Sequence, residues 1–103
     1  MSETMRPTYF VVMREPGPAW DGSLGMREQN HWEDHAAFMD ELAQEGFIVL
    51  GGPLGDGTRF MHVVAATDEH EIETRFAADP WTALELLRQS SIEPWQILLR
   101  AST

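Results

Sequence analysis

The chain has 103 residues, enough for one domain with a modest core, and a formal net charge of −10. Such a surface repels nucleic acid and anionic membranes, so neither is expected as a partner. All seven basic residues are arginine and cysteine is absent, which excludes lysine Schiff bases, thiol nucleophiles, disulfides and cysteine-ligated metals. No apolar run approaches the roughly 20 residues of a membrane span, and the N-terminus lacks a basic-then-apolar signal pattern. The expected location is the cytoplasm.

In chain order, residues 1–8 read as a flexible tail and residues 9–101 as a single domain. Tyr9 to Arg14 is rich in β-branched and aromatic residues and reads as a strand. Glu15 to Arg27 holds Pro16, Gly17, Pro18, Gly22 and Gly25, and reads as a long loop. Asn30 to Glu45 has helical periodicity and stops at Gly46, a residue suited to a left-handed cap. Phe47 to Leu50 is a second strand, ended by Gly51-Gly52-Pro53, and Asp56-Gly57 turns the chain into a third strand from Arg59 to Ala66. Asp68 with Glu71 makes a capping-box-like start for a second helix, whose inward side is Ile72, Phe76 and Ala77. Asp79 then suits an N-cap and Pro80 the first position of a third helix through Gln89. Ser91 or Ile92 to Leu99 closes the chain as a strand, with Pro94 marking an edge or bulge.

Two strand–helix–strand units joined by a hairpin give an α+β, ferredoxin-like βαββαβ layout: one antiparallel sheet with helices on one face. The strands are apolar on both faces, as in Tyr9-Phe10-Val11-Val12-Met13 and Phe47-Ile48-Val49-Leu50. Helices cover only one side, and soluble monomers rarely expose so large an apolar patch. A second copy of the chain is the simplest cover, so a homodimer is expected.

The residues that stand out chemically are His31 and His35, four apart on the first helix. Advancing about 100° per residue places Phe38, Leu42, Met39, Trp32, Ala43 and Ala36 on one arc, with His35 near its middle and His31 at its edge. An imidazole aimed into a core needs partners, because an unpaired buried polar group costs roughly 1–3 kcal/mol. A satisfied core histidine and an acid–base group both fit this placement. The spacing also suits two metal ligands, but Asp34 lies on the polar side and no third ligand declares itself, so no metal is expected. The Gly51–Gly57 run lacks a phosphate-loop lysine and leads into a strand, which makes it a hairpin. His62, in the third strand, faces either a pocket or the helices.

The stretch His35-Ala36-Ala37-Phe38-Met39 through Gln44-Glu45-Gly46, followed by Phe47-Ile48-Val49-Leu50-Gly51-Gly52-Pro53-Leu54, resembles the YCII-related family. So do Ala78-Asp79-Pro80-Trp81 and Ile92-Glu93-Pro94-Trp95, in the same order. The resemblance implies a subunit that pairs into a dimeric α+β barrel, with an active site of one histidine and one aspartate. These carry over to His35 and Asp79; Asp79 can be cap and site residue together, since a carboxylate has two oxygens. The chain departs from the pattern at Trp32, where many members carry arginine; Arg14, Arg27 and Arg59 are the alternatives for an anionic ligand group.

The expected function is acid–base chemistry, an elimination or isomerisation of a small molecule, by His35 and Asp79 without metal or organic cofactor. Tyr9, Trp20 and Trp32 are the expected substrate-binding walls. The rival from another class is a dimeric module that binds a ligand without turning it over.

Overall fold

The computed structural model describes residues 8–102. The elements are β1 (Thr8–Pro16), a single 3-10 turn (Met26–Glu28), α1 (Trp32–Gln44), β2 (Ile48–Leu54), β3 (Arg59–Ala66), α2 (Glu69–Ala77), α3 (Pro80–Ala83) and β4 (Leu87–Pro94). The four strands form one antiparallel sheet in the order β2-β3-β1-β4, consistent with the ferredoxin-like layout. Most of the residues expected as a tail, 1–7, lie outside the described part; Thr8 already pairs with Ala66.

Strand alternation decides which residues meet the helices. Phe10, Val12 and Arg14 of β1 stand opposite Val64, His62 and Phe60 of β3, and all six are buried under the helices. Ile48, Phe47, Leu42, Ile72 and Phe76 complete that core. On the other face Tyr9, Val11 and Met13 are half-buried, and Leu50 is 68 % exposed.

Local signals fix the helix starts. The Asp68 side chain accepts from the Glu71 backbone N–H at 2.9 Å, and Glu71 Oε1 accepts from the Thr67 N–H at 2.8 Å, a reciprocal cap. Gly46, at φ 84°, takes the left-handed position after α1.

Several boundaries differ from expectation. Strand β2 runs on through Gly51, Gly52 and Pro53, which pair with His62, Met61 and Phe60. Because β2 is an edge strand, a proline there sacrifices no ladder donor. Helix α3 stops at Ala83 instead of reaching Gln89. Glu85 adopts φ 59° and the chain reverses, held by Leu86 N–H to Trp81 O at 2.9 Å and Gly17 N–H to Leu86 O at 2.9 Å. A Cβ on Gly17 would lie 2.3 Å from the Glu85 carbonyl oxygen, so this crossing admits only glycine. The last strand accordingly begins at Leu87 and ends at Pro94, not Leu99. Pro94 pairs with Phe10 and the Trp95 N–H reaches the Tyr9 carbonyl at 2.7 Å, where β1 is nearly exhausted as a partner. Leu98 and Leu99, beyond it, are 78 % and 91 % exposed.

Candidate functional site

Asp79 lies between α2 and α3, is fully buried, and accepts hydrogen bonds on both carboxylate oxygens. Its Oδ1 accepts from the Trp81 backbone N–H at 2.9 Å, which makes it the N-cap of α3. Arg14 Nη1 donates to Oδ2 at 2.8 Å. His35 Nδ1 lies 2.9 Å from each carboxylate oxygen. The same acid is therefore helix cap, ion-pair partner and imidazole anchor.

Each partner arrives for a sequence reason. His35 faces inward from the first turn of α1 because the apolar stripe turns that way. Arg14 shares the inner face of β1 with Phe10 and Val12 by strand alternation. It is 1 % exposed, donates from Nη2 to Thr82 Oγ1 at 2.9 Å, and lies 4.9 Å from the centre of the Phe76 ring. Burial lowers the Arg14 pKa, and the charge of Asp79 with its hydrogen bond opposes that. Burial pushes the Asp79 carboxyl up, but the His35 hydrogen bond, the charges of His35 and Arg14 and the Trp81 N–H outweigh it and hold the acid below its ordinary value.

An ionised carboxylate only accepts, so the proton of the pair sits on His35 Nδ1. In the neutral ring Nε2 then carries the lone pair, and the hydrogen bonds of the ring to the described residues all go through Nδ1. The ring is clamped in place. The indole of Trp81 lies parallel to it, 3.9 Å between centroids and 4° between planes. Trp81 is itself fixed by a 2.7 Å bond from its Nε1–H to the Asn30 carbonyl.

His35 opens onto a cavity of about 420 Å³ between α1 and the β2 edge. Trp32, Trp81, Met39, Ile48, Phe60 and Leu87 supply apolar wall, and His62 and Arg27 add polar groups. Of the three aromatic residues expected as walls, Trp32 lines the cavity, with its ring 5.9 Å from that of His35. The structure does not bring the other two expected walls there. Tyr9 belongs to the opposite sheet face, beside Ala65 and under the Arg100 guanidinium at 5.3 Å, because residue 9 alternates with the inward Phe10. Trp20 packs behind the site against Phe60 and Trp81, at 5.8 and 5.6 Å.

Of the arginines weighed for an anionic ligand, Arg14 is committed to Asp79 and Arg59 lies at the base of the β2–β3 hairpin, while Arg27 lines the cavity over the Trp32 ring. His31 points outward to Asp34, and its Nδ1 lies 3.1 Å from the carboxylate. Among the described residues, no three His, Cys, Asp or Glu side chains converge as a metal site requires.

Fold and site together define a small α+β domain whose antiparallel sheet carries an enclosed imidazole–carboxylate pair beside an apolar cavity. Compared with protein families, residues 8–96 match the YCII-related domain, and the chain belongs to that family. Comparison with curated proteins and with solved structures gave no match. No helix among the described residues is long and apolar enough to cross a membrane.

Proposed function

We propose that the protein performs acid–base chemistry on a small, largely apolar molecule, with His35 as the proton-transfer group and Asp79 as the group that orients and charge-stabilises it. The observation that carries this is the 2.9 Å contact of His35 Nδ1 with a fully buried carboxylate, while the ring lines the cavity. In this reading Nε2 takes a proton from the substrate. The electron pair left behind forms a double bond as a leaving group departs with its own pair (elimination), or the proton returns at another atom (isomerisation). The imidazolium formed gains Coulomb stabilisation from Asp79, which Arg14 keeps ionised. General-base catalysis of this kind contributes about 10²–10⁴ in rate.

The test needs no known substrate. A panel of small carbonyl and aromatic compounds is incubated with the protein in deuterated water, and C–H exchange is followed by NMR. Exchange or turnover that disappears in His35→Gln supports the reading. Binding with neither exchange nor turnover overturns it and leaves a non-catalytic ligand module. A second copy against the open sheet face, giving the family's dimeric barrel, belongs to the same reading and is checked by light scattering.

A further inference from the structure

We propose that His62 is a second ligand-contacting residue of this cavity, accepting a hydrogen bond through Nε2 from a hydroxyl or N–H of the bound molecule. The proposal rests on the reading that the cavity beside His35 takes a small molecule, and adds the class: a largely apolar compound carrying a hydrogen-bond donor.

His62 is 5 % exposed and lines the cavity, and its Nδ1 is enclosed without a partner. A buried unsatisfied nitrogen costs roughly 1–3 kcal/mol, and a phenylalanine would fill the same space without that cost. The fold also makes room for the ring. A Cβ at Gly51 would fall 2.8 Å from His62 Cδ2, so β2 carries no side chain there. A residue that is costly by itself and demands a glycine beside it is better explained by a ligand than by packing.

The orientation follows from the sheet. His62 stands on a central strand with Gly51 across from it on β2 and Val12 on β1. Cδ2 turns to Gly51, a cavity residue, so Nδ1, on the other side of the ring, turns toward β1, where it is enclosed without a hydrogen-bond partner. Nε2, bonded to Cδ2, is left on the cavity edge as an acceptor. Burial first, then the nearby Arg14 charge and His35, push the pKa of His62 down to about 4 against Val12 and Asp79, so the ring is neutral near pH 7. The two imidazoles thus differ in kind: one backed by a carboxylate, one uncharged.

Phenol is the probe, with anisole as the control that lacks the donor. In the unmodified protein, ¹⁵N shifts of both histidines are followed as phenol is added. Movement of His62 Nε2 together with His35 supports the proposal, and so does a roughly 5-fold weaker phenol affinity in His62→Phe with anisole unchanged. Movement of His35 alone, or undiminished phenol binding by His62→Phe, overturns it while the cavity reading stands. No response from either ring overturns both. Since the shifts are measured on the unmodified protein, they decide the matter even where the variant does not fold.

Discussion

Arg14 and Asp79 form an ion pair of 2.8 Å in which both side chains are at most 1 % exposed, so neither charge has water to fall back on. Removing one partner of such a pair leaves the other uncompensated. Arg14→Met should therefore destabilise the fold by about 3–5 kcal/mol, measured by urea unfolding at neutral pH. Loss of the guanidinium should also raise the acid's pKa toward its unfolded value, so the stability of the variant should fall less steeply than the parent's as pH drops below the ordinary carboxylate range.

Replacing Asp79 with asparagine keeps an oxygen for the Trp81 N–H but removes the charge and one acceptor. The expected result is a loss of about 3–5 kcal/mol, because the Arg14 guanidinium is left as an uncompensated buried charge, together with loss of the Nδ1–H tautomer of His35. Long-range ¹H–¹⁵N correlation spectra report that tautomer directly. An unchanged spectrum would show that the carboxylate does not set it.

Gly51 and Gly52 are neighbours with opposite surroundings. Gly51→Ala puts a methyl group 2.8 Å from His62 Cδ2, whereas nothing lies within 4 Å of the corresponding position at Gly52. Overpacking predicts a loss of about 1–3 kcal/mol for the first and little change for the second, by thermal unfolding.

Stability should fall as the solution is acidified, in two ranges. His62 has a folded pKa of about 4 against an ordinary 6.5, so between these values the unfolded chain binds the extra proton and stability drops as pH falls. Asp79, depressed in the fold, adds a further loss below the ordinary carboxylate range. His62→Phe should flatten the first range and leave the second, as a urea-midpoint series across pH would show.

The inward place of His35 and the cap at Asp79 are legible in the sequence because each obeys a local rule, the first on a helical arc and the second before a proline; that the two meet is implied only by the family resemblance. Arg14 was harder. At the end of an apolar run it looks like a solvent-facing terminus, and only its two-residue spacing from Phe10 and Val12 marks it as inward. The end of α3 was not legible, since the reversal rests on a positive φ at Glu85, a residue type that gives no sign of one. Tyr9 and Trp20 were misplaced because an aromatic residue fits a core, an open face and a pocket equally well. Which it meets depends on strand phase and on the path of a long loop.

Because Asp79 Oδ1 holds both the Trp81 amide and the imidazole, the first turn of α3 and the imidazole's alignment stand or fall as a unit. The deuterium uptake of that one backbone amide therefore serves as a reporter for the whole constellation. Any engineered change that quickens it will have loosened the histidine too, before a substrate is ever known.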